Sequence, residues 1–182
     1  MAVELIVITD WSLGDLLDRL ASALSAGPGV AIAHRHPEAT ARQFFDEAVA
    51  LRERFPTAPL FVNRRLDVAL AVGAWLHLPA YGLLPADVRG RVAKVSVAVH
   101  SLEEAGRAAG ADLALVSPVF AKGDAVPLGL AGFARIAAAL SCPAFALGGV
   151  TARVPGAAGH AVISAVLRAP DPASAAKSML AP

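Results

Sequence analysis

The sequence predicts an α/β fold, a compact (β/α)8 barrel of the TIM type with thin units after its fourth and seventh strands. Three observations predict it. Eight short apolar, β-branched runs recur along 182 residues, and most are separated by stretches with apolar residues three and four apart, the spacing of one helix face. The runs are nearly continuous in their hydrophobicity, as strands buried on both faces of a parallel sheet must be. In the last third, each run ends in small or polar residues just before the next helical pattern, which is how parallel strands deliver amides and side chains to a shared rim.

Taken in order, the first strand is read at residues 5–9, followed by a helix carrying Leu13, Leu16, Leu17, Leu20 and Leu24. The second, 30–33, precedes a helix with Phe44, Phe45, Ala48, Leu51 and Phe55 on its apolar side. The third, 60–63, runs into a helix beginning near Arg64 and Arg65, and the fourth is read at 75–78. Residues 79–91 then leave room for only a short helical turn. The fifth strand, 95–100, leads into a helix capped by Ser101, with Glu103 and Glu104 in its first turn, where negative charge suits the helix dipole. The sixth and seventh fall at 113–116 and 144–147. Pro155, beside Gly156, Ala157 and Ala158, makes a long helix improbable between 151 and 159. The eighth is read at 161–166.

A barrel of this kind usually takes about 250 residues, so several units must be short; a flavodoxin-like open sheet with fewer strands is the alternative. No break in composition divides residues 1–182, which are read as one domain. The 56% hydrophobic and 17% charged content argues against disorder. No apolar run reaches the roughly 18 to 20 uncharged residues that cross a bilayer, and the expected location is cytoplasmic. Sixteen basic and fifteen acidic residues leave a net charge of +1, which speaks against a nucleic-acid partner. Cys142, without a second thiol, is read as a small strand-edge residue before Pro143.

The candidate phosphate site lies at Leu147-Gly148-Gly149-Val150, where glycines let the backbone approach an anion and successive free N–H groups grip it. His34, His36, His77 and His100 fall at strand ends and are expected around one mouth. His34 and His36 share a strand face, a half-site for a metal, yet Pro37 and the lack of an acidic partner weaken it, and ordinary hydrogen-bonded histidines are the preferred reading. Arg35, Arg64, Arg65 and Lys122 also lie near strand ends, where guanidinium groups can pair with phosphate oxygens; Arg65 is read as a solvated helix-start residue.

The ordered set Val7-Ile8-Thr9-Asp10, Phe61-Val62-Asn63, Val72-Gly73-Ala74, Val99-His100-Ser101, Ser117-Pro118-Val119-Phe120, Leu147-Gly148-Gly149-Val150 and Ala161-Val162-Ile163-Ser164 resembles the thiamine phosphate synthase superfamily, which includes the thiazole tautomerases. The resemblance implies a (β/α)8 barrel holding the phosphate of a thiazole phosphate on Gly148, Gly149, Ile163 and Ser164. It also makes Arg35, Asn63, Arg64 and Ser117 substrate-binding candidates, and Arg35, His100 and Lys122 the candidates for catalysis.

The departures are as informative. The resemblance implies Mg²⁺ held by two aspartates, one after the asparagine of the third strand and one in a Gly-Gln-x-Asp stretch after the fourth. This chain has Asn63-Arg64 and Pro79-Ala80-Tyr81-Gly82 there, so no metal or other cofactor is expected. Of the pattern Gln-x-Arg-x-Lys, the segment Ala33-His34-Arg35-His36-Pro37 keeps only Arg35. A Thr-x-Thr-Lys loop is shortened to Ala121-Lys122-Gly123-Asp124, a strand-five serine is Ala98, and the histidine of the tautomerases is Pro118. The preferred reading is therefore a family protein of thiamine metabolism that binds a thiazole phosphate with its Mg²⁺ and pyrophosphate site degenerate. The alternatives are an active transferase, in which Arg35, Arg64 and Lys122 neutralise the pyrophosphate, or a non-catalytic phosphate-binding barrel. A homo-oligomer is left open; no membrane partner is expected.

Overall fold

The computed structural model describes residues 2–121 and 123–180. Eight parallel strands close into a barrel in sequence order: β1 (Leu5–Ile8), β2 (Val30–His34), β3 (Leu60–Asn63), β4 (Trp75–Leu78), β5 (Val95–Val99), β6 (Leu113–Val116), β7 (Ala144–Leu147) and β8 (Gly159–Val162), with β8 pairing back onto β1. The open-sheet alternative is thereby excluded. The helices are α1 (Leu16–Leu24), α2 (Ala41–Arg54), α3 (Leu66–Ala71), α4 (Pro85–Val88), α5 (Gly129–Ala139), α6 (Ser164–Leu167) and α7 (Pro172–Met179).

Strand alternation sorts the apolar residues into two cores. Ile6, Ile8, Ala31, Ala33, Phe61, Leu113, Leu115, Phe145 and Ala161 fill the barrel, with Phe61 edge-on to Trp75 at 5.0 Å between ring centres. Leu5, Val7, Val30, Ile32, Val62 and Leu76 point outward and meet Leu20 of α1, Phe44 and Leu51 of α2 and Phe133 of α5. Phe45, expected on the apolar side of α2, is exposed at 37%. Helix α2 opens with Thr40, whose Oγ1 accepts from the Gln43 amide at 3.2 Å while the Gln43 side chain accepts from the Thr40 amide at 3.0 Å, a reciprocal cap that satisfies two otherwise orphaned donors.

The thin units fall where expected. Helix α4 has four residues, and no helix lies between β7 and β8. Two details differ from expectation. The segment after β5 forms a short 3-10 turn, Ala105–Ala108, in place of an α-helix; Gly106 lies within it and Gly110 just after it, and glycine is a poor helix former. The eighth strand begins at Gly159 and ends at Val162, and Ser164 opens α6 instead of continuing the strand. The apolar run misleads because Val166 and Leu167 are buried on a helix face. Gly159 reads poorly as a strand residue but is demanded by the barrel interior, since a Cβ there would lie 2.3 Å from Phe145 Cε1 and 2.6 Å from the Glu4 carbonyl.

Among the described residues no helix is long and apolar enough to cross a membrane.

Candidate functional site

The strand C-terminal ends surround a cavity of about 930 Å³, lined by Arg35, Asn63, Arg64, His77, His100, Ser117, Gly148 and Ile163 above apolar residues such as Ile8 and Leu115. Seven strands therefore bring candidate side chains or backbone to one mouth, where such barrels carry their chemistry.

On one side, β7 and β8 are paired through Leu147 and Ala161, which sets their exits next to each other. Gly148 is buried and Gly149 exposed; both have positive φ, 88° and 66°. Their outer flank is strapped by the segment after β6, through hydrogen bonds from the Val119 amide to the Leu147 carbonyl and from the Phe120 amide to the Gly148 carbonyl, each 2.9 Å. The Ser117-Pro118 peptide in this strap is cis. A Cβ on Gly148 would sit 2.7 Å from Pro118 Cα, and one on Gly149 would sit 2.9 Å from the Ala121 carbonyl, so neither position admits a side chain without displacing backbone. Among the described residues, the amides of Gly148, Gly149, Ile163 and Ser164 donate no hydrogen bond. Unspent donors at two neighbouring strand ends are the kind of group that can receive an anion.

Arg35 is placed by Thr9, a residue that carried no role in the sequence reading. Thr9 Oγ1 donates to the Arg35 carbonyl and accepts from the Arg35 amide, both at 2.9 Å, which locks the exit of β2 against β1. The Arg35 guanidinium has no hydrogen-bond or ion-pair partner among the described residues. At the end of the neighbouring strand β3, Arg64 follows Asn63 with φ 66°, the one non-glycine residue at positive φ among the described residues. Its amide donates to the His77 carbonyl at 2.8 Å, and its guanidinium lies 5.0 Å from the centre of the Tyr81 ring. Arg65, in contrast, is tied to Asp67 at 2.6 Å beside α3.

His77 faces the cavity floor with Nδ1 2.8 Å from Ser96 Oγ on β5. Burial, then the positive charge of His100 and Arg35, push its pKa down to about 4, so it is neutral near pH 7. Ser96 was missed, although inward parity with Ala98 on Val95-Ser96-Val97-Ala98-Val99 marks it. His100 Nδ1 donates to the Ser117 carbonyl at 2.8 Å, and its amide donates to Glu104 Oε2 at 2.7 Å. The lining residue Glu104 is thus engaged with the β5 exit.

His34 does not reach the mouth. It shares outward parity with Val30 and Ile32 and is fully buried, with Nε2 donating to the Phe44 carbonyl at 3.0 Å and Nδ1 accepting from Trp11 Nε1 at 3.3 Å. Burial holds its pKa near about 4. An acidic partner, not expected from the sequence, arrives from α2: Glu47 lies 2.8 Å from His36 Nδ1 and 3.7 Å from His34 Nε2. Lys122 lies outside the described residues.

The Mg²⁺ implied by the resemblance finds a poor donor set. Magnesium takes hard oxygen ligands, commonly one or two carboxylates, and the two corresponding places hold Arg64 and the carboxylate-free Pro79–Gly82 stretch. Among the described residues no three His, Cys, Asp or Glu side chains cluster so as to hold a metal ion.

Comparison with known proteins accounts for this architecture. The chain matches the family model described as thiamine monophosphate synthase over residues 5–166. It is 40% identical to the thiamine-phosphate synthase of Methanoculleus marisnigri, across 98% of this chain and 94% of that protein. It is 36% identical to that of Chloroflexus aurantiacus, across 98% and 91%. A solved thiamine phosphate pyrophosphorylase from Pyrococcus furiosus superposes with a TM-score of 0.84 at 33% identity, covering 97% of this chain and 93% of that one. With the closed barrel, the shared rim and similarity along nearly its whole length, the chain belongs to the thiamine monophosphate synthase family.

Proposed function

We propose that this chain is a transferase of thiamine biosynthesis, which joins the pyrimidine of hydroxymethylpyrimidine pyrophosphate to a thiazole phosphate. The observation that carries the reading is the set of unspent amides at Gly148, Gly149, Ile163 and Ser164, opening beside a cavity that extends to Arg35. That cavity, about 930 Å³, is of a size for two small ligands side by side.

The chemistry asks little of a general base. The bond between the pyrimidine methylene and the pyrophosphate oxygen breaks with its electron pair leaving on pyrophosphate. A ring nitrogen of the thiazole supplies the pair for the new C–N bond, and no proton is transferred. Positioning and stabilisation of the departing charge are what the site must provide. A neutral His77 and a His100 bonded to the Ser117 carbonyl suit that demand, whereas the tautomerase reading lacks its histidine at Pro118. Full-length similarity to proteins named thiamine-phosphate synthase supports the active transferase over the degenerate binding protein that the sequence motifs favour.

The missing carboxylates support one other reading, a barrel that binds a thiazole phosphate without turning over. Incubation with both substrates and chromatographic detection of thiamine phosphate separates the two: product formation supports the transferase, and tight thiazole phosphate binding with no product supports the binding barrel.

A further inference from the structure

We infer that the mouth binds a diphosphate through the guanidinium groups of Arg35 and Arg64, with no divalent cation between them. The identity of that diphosphate as the leaving group of a substrate rests on the transferase reading; its binding does not.

Glu104, the one acidic residue lining this cavity among the described residues, accepts from the His100 amide; in the adjoining groove Asp10 is paired with Arg168 at 2.7 Å, and Glu38 makes no ion pair with Arg35. Arg65 is neutralised by Asp67. Arg35 and Arg64 remain, two guanidiniums lining one cavity with no carboxylate partner among the described residues. A divalent cation placed there would face two like charges, with Arg64 and the carboxylate-free Pro79–Gly82 stretch where the resemblance puts its ligands, whereas a diphosphate, with about three negative charges near neutral pH, would meet two forked donors of matching geometry.

Arg64 is built for this position. Its left-handed backbone, φ 66°, is a conformation that a residue with a long side chain adopts only when its surroundings impose it. The hydrogen bonds from Arg64 N to the His77 carbonyl and from Arg65 N to the Asn63 carbonyl, each 2.8 Å, impose it. The turn carries the side chain over the face of Tyr81 at 5.0 Å, a contact that holds a guanidinium by its plane and leaves its N–H edges open. Arg64 and Tyr81 come from the two segments that, by resemblance, would hold the metal, and here they contact each other.

The test is calorimetric titration of the purified full chain with inorganic pyrophosphate in EDTA, and in parallel with Mg²⁺ replacing the chelator. Arg64→Gly is the informative variant, because glycine accepts the positive φ and removes only the guanidinium. The expected results are binding in EDTA no weaker than in Mg²⁺, and at least a tenfold loss in both Arg64→Gly and Arg35→Ala, with the melting temperature of Arg64→Gly not lowered. Binding that requires Mg²⁺, no binding in either buffer, or binding in EDTA that ignores both substitutions would overturn the inference. Thiamine phosphate formation that requires Mg²⁺ would overturn it while leaving the transferase standing; metal-free pyrophosphate binding without product would do the reverse.

Discussion

His77 Nδ1 and Ser96 Oγ lie 2.8 Å apart across two strands whose register sets these residues side by side, His77 on β4 against Ser96 on β5. The pair fixes the imidazole plane on the cavity floor, while burial and then the positive charge of His100 and Arg35 keep the ring neutral. Replacing Ser96 by Ala removes the partner of a confined polar atom and is expected to lower stability by about 1 kcal/mol, measured by urea unfolding. The imidazole of His77 is expected to show no protonation by NMR between pH 6 and 8, since its pKa lies at about 4.

His34 gives the protein a defined acid sensitivity. Its pKa is about 4 in the fold against about 6.5 in the unfolded chain, so the unfolded state binds the extra proton between these values. The stability it contributes is complete above pH 6.5 and is lost as pH falls toward 4, at most about 3 kcal/mol. Glu47, 3.7 Å from Nε2, works against this by favouring the charged ring; the Nε2 proton is nevertheless committed to the Phe44 carbonyl at 3.0 Å. In His34→Gln the slope of unfolding free energy against pH, between 4.5 and 6.5, is expected to be shallower than in the parent. An unchanged slope would show that His34 does not carry the effect.

Gly159 is a space requirement of the barrel. Its absent side chain accommodates both the Phe145 ring and the Glu4 carbonyl. Gly159→Ala is expected to cost about 2–3 kcal/mol by overpacking. Adding Phe145→Leu is expected to recover only part of it, because the carbonyl contact at 2.6 Å remains. Thermal unfolding of the single and double variants checks this.

Arg64 holds strain that a glycine would release. A left-handed non-glycine residue costs on the order of 1 kcal/mol or more, offset in part by the Tyr81 contact and by the chain entropy that glycine adds. The expected net gain for Arg64→Gly is about 0.5 kcal/mol, read as a small rise in melting temperature.

Much of the fold is legible in the sequence. The third, fourth, sixth and seventh strands lie at 60–63, 75–78, 113–116 and 144–147, where apolar β-branched runs placed them, because parallel strands buried on both faces leave so plain a trace. The eighth was misplaced because Gly159 looks like a turn and Val166 looks like a strand, while both are decided by tertiary contacts. His34 was assigned to the mouth by its nearness to a strand end, although parity with Val30 and Ile32 points it outward; the same parity would have found Ser96. The reach of Glu47 to His36 across 11 residues and the left-handed turn at Arg64 depend on packing between elements and left no local mark. The glycines of the rim were readable as an anion site, while the freedom of their amides needed the strap from Val119 and Phe120 to be seen.

The proposed phosphate site at the ends of β7 and β8 is best checked by a crystal structure of the chain with a thiazole phosphate. The phosphate oxygens are expected within about 3 Å of the Gly149 and Ser164 amides, with the ring pointing toward His77. A phosphate bound elsewhere in the mouth, or those amides found bonded to main-chain carbonyls, would contradict it.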